Sequence, residues 1–176
     1  MPAPTKFRRR RRPAPKEEPF EARPGEAVVW TDGACRGNPG PGGWAAIVVP
    51  ADGGEDIELS GGDPQTTNNR MEYTAAIEGL RALPAGSRVC IVTDSRLMLD
   101  SMTKWLPGWK RKGWRTASGE PVKNQDLVRA LEAEIERHAE VRWHWVRGHE
   151  VGAEHAHKAR NDRADRLAVA AAAAAA

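Results

Sequence analysis

The sequence predicts an α/β fold: a five-stranded mixed sheet, an antiparallel meander joined to parallel strands, with helices on both faces. Three observations predict it. Five short β-rich runs are bounded by Gly, Pro and Asp turn signals. The first three follow one another without an intervening helix, as a meander does. The last two alternate with segments of helical periodicity, the pattern of parallel strands joined by crossovers.

The elements follow in order. Ala27 to Thr31 is a β-rich run ending at Asp32. Gly37-Asn38-Pro39-Gly40-Pro41-Gly42-Gly43 is a tight connection whose alternating Gly and Pro prescribe unusual backbone angles. Trp44 to Val49 is a second strand and Asp56 to Ser60 a third, joined through Ala51-Asp52-Gly53-Gly54. Thr66 to Leu83 reads as a helix, with Thr67 or Asn68 as its cap and Pro84 as its stop. Arg88 to Thr93 is a strand ending at Asp94, and Ser95 to Trp105 a helix. Gln125 to His138 is helical, with Asn124 at its start and Leu127, Leu131 and Ile135 recurring on one face. Val141 to Val146 alternates, with Trp143 and Trp145 as core positions, and a final helix runs from about Asn161. Residues 1–26, rich in Pro, Arg and Glu, are expected to be a disordered arm. Residues 27–170 form the domain, and 171–176 are an alanine tail without function.

Composition narrows the function classes. Hydrophobic residues at 40% and charged residues at 29% are soluble-globular values, and no apolar run approaches membrane length. The N-terminus has no apolar stretch behind its arginines, so it is not a secretory signal, and it lacks the amphipathic period of a presequence. Cys35 and Cys90 make no disulfide framework and read as reduced thiols of a cytoplasmic protein. The net charge of +3 is unevenly spread. Residues 1–26 hold eight Lys/Arg against four Glu, a net of +4, so the other 150 residues sum to −1. Lys104 to Arg115 contributes five cations and no acid, so the rest of the body sums to −6. Two basic elements on an acidic body suit a protein that grips phosphates at chosen places.

Two strands close alike, on Val29-Trp30-Thr31-Asp32 and Ile91-Val92-Thr93-Asp94. Laid parallel and adjacent, they bring both carboxylates out at one sheet edge, where α/β folds build their sites. Glu72 sits in the first turn of the connecting helix, on a stripe with Ala75, Ala76 and Gly79 that lets the helix lie close to the sheet. Asp165 lies one turn into the last helix, facing the same way as Asp162, Ala168 and Val169. Clustered carboxylates repel unless cations neutralise them, and hard oxygen ligands select Mg²⁺ or Mn²⁺ over zinc. Taken singly, Asp32 and Asp94 could cap turns, and Glu72 and Asp165 could be helix-surface charges.

The segments around these acids resemble the type 1 ribonuclease H family, bacterial branch. They are Thr31-Asp32-Gly33-Ala34-Cys35 with Gly37 to Gly43, Thr66-Thr67-Asn68-Asn69-Arg70-Met71-Glu72, Thr93-Asp94-Ser95, Trp145-Val146-Arg147-Gly148-His149, and Asn161-Asp162-Arg163-Ala164-Asp165. The resemblance implies an endonuclease that hydrolyses the RNA strand of an RNA–DNA hybrid. Asp32, Glu72, Asp94 and Asp165 would hold two Mg²⁺ ions, with Mn²⁺ able to substitute, and the products would carry 5′-phosphate and 3′-hydroxyl ends. His149 matches the family's histidine for proton transfer or product release. Cys35, Asn38 and Asn68 would read the hybrid's minor groove, where the 2′-hydroxyl marks RNA. Thr67, Asn69 and Arg70 would hold a DNA-strand phosphate. Trp105, Trp109 and Trp114 with Lys110, Arg111, Lys112 and Arg115 resemble the basic handle of the bacterial members. No membrane and no obligatory protein partner are implied, and a monomer is expected.

The chain also departs from the family pattern. The loop after His149 is longer and holds His155 and His157, and Arg96 replaces a commonly uncharged residue. An integrase, transposase or junction resolvase would share the acids, and a noncatalytic hybrid- or RNA-binding module is the other alternative. The Gly/Pro loop and the tryptophan-rich handle argue against the first, and the retention of all four acids against the second.

Overall fold

The computed structural model describes residues 20–147 and 156–176, without the side chains of 156–158. Its strands are β1 (Glu26–Cys35), β2 (Gly40–Val49), β3 (Ile57–Thr66), β4 (Arg88–Thr93) and β5 (Glu140–Trp145), in sheet order β3-β2-β1-β4-β5. β1, β2 and β3 pair antiparallel, whereas β4 runs parallel to both β1 and β5. The helices are α1 (Asn68–Arg81), α2 (Arg96–Asp100), α3 (Leu106–Arg111), α4 (Gln125–Arg137) and α5 (Ala156–Ala174). The five-stranded mixed sheet, an antiparallel meander joined to parallel strands with β1 and β4 side by side, is the one expected.

Strand alternation sorts the core into two layers. Val29, Ala46, Val48, Val89 and Ile91 face α1 and α4, meeting Tyr73, Ile77, Leu80, Val128 and Leu131. Val28, Trp30, Ala45, Ile47, Cys90 and Val92 face the other way, toward Ala164 and Ala168 of α5 and toward Phe20. Among the described residues no helix is long and apolar enough to cross a membrane.

Several boundaries differ from the sequence reading, each for a packing reason. β1 continues through Asp32 to Cys35 because Gly42 and Gly43, expected in the loop, instead pair with it as the start of β2. β3 extends to Thr66 by pairing along the whole of β2. α1 is shorter than expected at both ends: Thr67 is its cap, its hydroxyl accepting from the Arg70 amide, so Glu72 opens the second turn rather than lying in the first. The helix expected over 95–105 is α2 followed by a π turn, Ser101–Trp105. Asn124 precedes α4 in a left-handed conformation, φ 57°, and makes no side-chain cap bond. Trp143 and Trp145 are only half-buried, because β5 is the edge strand.

The two ends of the domain also differ. Phe20 is buried, its ring edge-on to Trp30 and to His144 at centroid distances of 5.4 and 5.2 Å. Arg142 reaches the Glu21 carbonyl and forms a bidentate pair with Glu26, both bonds 2.6 Å. Residues 20–26, expected within the arm, are thus packed on the sheet. At the other end α5 starts at Ala156 and carries the alanines onto the β2–β3 ribbon. A Cβ on Gly43 would collide with the Ala168 carbonyl and the Ala172 amide and stand 2.8 Å from the Ala171 Cβ. Ala172 is buried there. The terminal alanines, expected as an idle tail, form the seat of α5, because only methyl side chains let the helix backbone approach so closely. On the same helix Ala164 and Ala168 point inward, whereas Asp162 and Val169, expected to share the Asp165 face, are exposed.

Candidate active site

The register between β1 and β4 pairs Val28 with Cys90 and Trp30 with Val92. The same offset continued two residues sets Asp32 level with Asp94. The Thr31 hydroxyl ties the strands at this point by donating to the Val92 carbonyl at 3.2 Å. The Thr93 hydroxyl accepts from the Ser95 amide at 3.0 Å, and the Ser95 hydroxyl caps α2 through the Met98 amide. The repeated Thr-Asp pair therefore serves two ends: Thr31 ties β1 to β4 beside Asp32, and Thr93 braces the turn that presents Asp94.

Glu72 approaches from the opposite layer. A Cβ on Gly33 would stand 2.8 Å from the Glu72 amide nitrogen and 3.0 Å from the Met71 carbonyl carbon. Only glycine after Asp32 lets α1 come this near to β1. Asp32, Glu72 and Asp94 each offer a carboxylate oxygen, and the three lie within 4.8 Å of one another. Asp165 joins them from α5, within hydrogen-bonding reach of Asp32. The four predicted acids thus converge from two strands and two helices.

Electrostatically the cluster is poised against its own charge. Burial, the Asp94 charge and the Asp165 hydrogen bond push the Asp32 carboxyl up to about 8, against the one amide bond it accepts from Gly33 at 2.9 Å. Burial and then the charges of Asp94 and Asp32 raise Glu72 well above the usual carboxylate range. Glu72 Oε2 is buried and has no hydrogen-bond partner. A buried orphan acceptor among like charges costs free energy unless a cation fills the gap. The donor set therefore fits a hard divalent ion.

The other predicted residues fall into groups. Cys35, Asn38, Thr67 and Asn68 come together: Asn38 Oδ1 accepts from the Asn68 amide at 3.1 Å, and the Cys35 thiol lies 2.8 Å from the Gly37 carbonyl and 3.4 Å from that of Thr66. Asn69 is exposed beside them. Arg70 is turned away to the start of α4, where Asp126 holds it bidentately at 2.7 and 3.0 Å. Lys110 pairs with Glu132, and Arg111 and Lys112 are exposed. Trp105 stands 43% exposed with Trp109 at 5.9 Å, while the Arg129 guanidinium lies 4.6 Å over the Trp114 ring. Trp109 and Trp114 pack against the α1–α4 layer, so the handle belongs to that face and not to the acid cluster. His149 and His155 lie outside the described residues.

One residue that alternation places in the core belongs to the site. The Trp145 indole donates to the Asp94 carbonyl at 3.2 Å, and Arg96 lies 5.5 Å over its ring while pairing with Asp100 at 3.7 Å. The tryptophan holds the carbonyl of the acid beside it. The cue in the sequence is its place at the end of a strand whose parallel neighbour ends on Asp94.

Acids gathered where two parallel central strands lie side by side, on a mixed sheet of this order, have the donor set of a metal-dependent phosphodiester hydrolase. Comparison with known proteins gives the particular group. The RNase H family profile matches residues 24–173. A ribonuclease H of Alkalilimnicola ehrlichii is 55% identical over 140 residues, covering 80% of this chain and 90% of that protein. One from Halorhodospira halophila is 54% identical, covering 82% and 91%. The crystal structure of LC9-RNase H1, a type 1 RNase H with the type 2 active-site motif, is 34% identical with a TM-score of 0.70, covering 89% of this chain and 76% of that one. The chain belongs to the RNase H family, hydrolytic endoribonucleases.

Proposed function

We propose that the protein cleaves the RNA strand of RNA–DNA hybrids at the four-acid edge, leaving 5′-phosphate and 3′-hydroxyl ends. The observation that carries this reading is the convergence of Asp32, Glu72 and Asp94 within 4.8 Å, with one oxygen of Glu72 orphaned. A related solved structure, LC11-RNase H1 in complex with RNA/DNA hybrid, shares the fold at 24% identity.

Asp32, Glu72, Asp94 and Asp165 would hold the ions, with Mg²⁺ the choice that their oxygen donors favour. Two such ions would supply the charge that activates a water and steadies the departing 3′ oxygen. The chain's own residues do the rest. Asp32 and Asp94 are fixed by strand register and the threonine bonds, and Asp165 by the seat of α5. Glu72 is held by the close approach of α1 to Gly33. Asn38 and Asn68, linked to each other, stand where a ribose edge would pass, and the exposed cations of the handle would carry the DNA strand's phosphates. Thr67 and Asn69 remain candidates for a phosphate contact, and Arg70 would join them only by leaving Asp126. His149 would assist proton transfer, as the resemblance implies. A monomer acting in the cytoplasm completes the reading.

The test is a substrate panel: RNA–DNA hybrid, duplex DNA, single-stranded RNA and duplex RNA, each with Mg²⁺ and with EDTA. Cleavage of the hybrid alone, abolished by EDTA, is the expected result. Cutting of duplex DNA would instead indicate a transposase-like or resolvase-like activity on this fold.

A further inference from the structure

Asp56 stands just before β3, on the far side of β2 from the acids, and the proposed cleavage makes no use of it. Yet it gathers two arginines of α5. The Arg160 guanidinium donates to both of its oxygens, Nε to Oδ2 at 2.9 Å and a terminal nitrogen to Oδ1 at 3.2 Å. Arg163 donates a terminal nitrogen to Oδ2 at 3.0 Å and sets its Nε 2.6 Å from Glu58 Oε1. The hydrogen bond from Arg160 outweighs burial and, with the charges of both arginines, holds the Asp56 carboxyl below the usual carboxylate range. A partly exposed ion pair by itself contributes little to stability. Here, however, one bidentate carboxylate ties two residues a helical turn apart to a strand, and such geometry fixes orientation.

The helix shows what that tie controls. At 3.6 residues per turn, Arg163 and Arg160 stand about 160° and 140° round α5 from Asp165. The buried stripe of Ala164, Ala168 and Ala172 runs between the two flanks. α5 packs on β1, β2 and β3. One flank therefore turns Asp165 to Asp32 on β1, and the other turns both arginines to the β3 side. A roll of the helix about its axis would carry both flanks together. Methyl groups along the stripe offer few knobs to resist such a roll. The close contacts with Gly43 and Gly62 involve Ala168, Ala171, Ala172 and Ala175, so Asp165 lies between that seat and the Asp56 clamp. The load on the helix comes from the site itself. Without a cation, the charges of Asp32, Glu72 and Asp94 repel an ionised Asp165.

We propose that Asp56 is a positioning residue for the reaction: through Arg160 and Arg163 it locks the roll of α5 and holds Asp165 at the metal-binding edge. The proposal rests on the hybrid-cleavage reading for the reaction alone, since the lock is a property of the helix.

The test compares the wild type with Asp56→Asn, Asp56→Glu and a control, Glu134→Gln. Glu134 on α4 is likewise shared by two arginines, Arg81 and Arg137, but it belongs to the opposite layer of the sheet from α5. In Asp56→Asn, kcat on the hybrid should fall roughly tenfold and the Mg²⁺ concentration for half-maximal rate should rise roughly tenfold, the lower end of the usual loss for partners that orient a metal ligand. KM for the hybrid should stay within about twofold, because Asp56 touches no substrate. Asp56→Glu keeps a carboxylate for both arginines and should recover most of the loss. Glu134→Gln should lower the melting temperature comparably and leave kcat and the Mg²⁺ dependence unchanged. A readout free of turnover is hydrogen exchange of the α5 amides in EDTA. Exchange over residues 161–170 should quicken several-fold in Asp56→Asn and slow again when Asp165→Asn is added, because that change removes the repulsion. Wild-type kcat and Mg²⁺ dependence in Asp56→Asn would overturn the proposal, and so would α5 exchange that matches the wild type. A rise in KM alone would make Asp56 part of a substrate contact instead, and an equal loss of kcat in Glu134→Gln would reduce the effect to general destabilisation; either outcome sinks the lock. A wild-type chain that leaves the hybrid uncut would remove the ribonuclease reading, and the exchange comparison would then decide the lock by itself.

Discussion

The acid cluster should cost the protein stability whenever no cation is present, and Asp32→Asn measures how much. The Asp32 carboxyl is pushed from 3.8 to about 8, so the folded state binds its proton over a range in which the unfolded chain does not. Stability from this group is therefore fully present below about 3.8 and is lost as pH rises through about 8. A shift of about four units at about 1.4 kcal/mol each corresponds to on the order of 5 kcal/mol. The ionised form still accepts the Gly33 amide, so asparagine should recover less than that, on the order of 3 kcal/mol at pH 8. At about 2–4 °C per kcal/mol for a chain of this size, the melting temperature should rise by roughly 6–12 °C. The assay is thermal and urea unfolding in EDTA at several pH values between about 4 and 9. The gap between variant and wild type should open from about pH 4 and level off above about 8. Added Mg²⁺ should close it by stabilising the wild type selectively. A variant no more stable than wild type at pH 8 in EDTA, or a gap that ignores pH, would refute the reasoning.

Three further outcomes are expected. Asp94→Asn should abolish Mg²⁺-dependent hybrid cleavage, by 10³-fold or more in kcat at an order-of-magnitude level, while hybrid binding persists; unchanged turnover would remove the acids from the mechanism. Gly43→Val should lift α5 from its seat, lowering stability by about 1–3 kcal/mol and displacing Asp165. Urea unfolding and kcat should fall together, and a neutral result would mean the seat is soft. Removing residues 1–19 should leave stability intact, whereas removing 1–23 strips Phe20 and takes the Glu21 carbonyl from Arg142, costing about 3–5 kcal/mol by the usual loss for a buried phenylalanine. Equal melting temperatures for the two truncations would show the Phe20 packing to be incidental.

Legibility varies with how local the controlling interaction is. The Thr93-Asp94 strand ending, the Thr67 cap and the Leu131 stripe of α4 answer to neighbours a few residues away and can be read directly. Arg70 cannot: its motif suggests a phosphate, but Asp126, distant in sequence, captures it. Alternation puts Trp145 in the core, yet as an edge-strand residue it spends its indole N–H on the Asp94 carbonyl. Phe20 is hidden in the arm because two isolated phenylalanines, Phe7 and Phe20, among Pro, Arg and Glu give no periodic signal.

By itself the sequence determined the mixed sheet, the family, and the four acids, because short motifs and alternating polarity encode what each strand and helix does alone. Only the tertiary structure decided how those acids reach one another. The β1–β4 register levels Asp32 with Asp94, Gly33 admits Glu72 from the α1 face, and the alanine seat on Gly43 brings in Asp165 from the α5 face. Each of these depends on the backbones of two elements approaching within a van der Waals contact. That distance is set by the packing of the whole domain and is written in no single stretch of the chain.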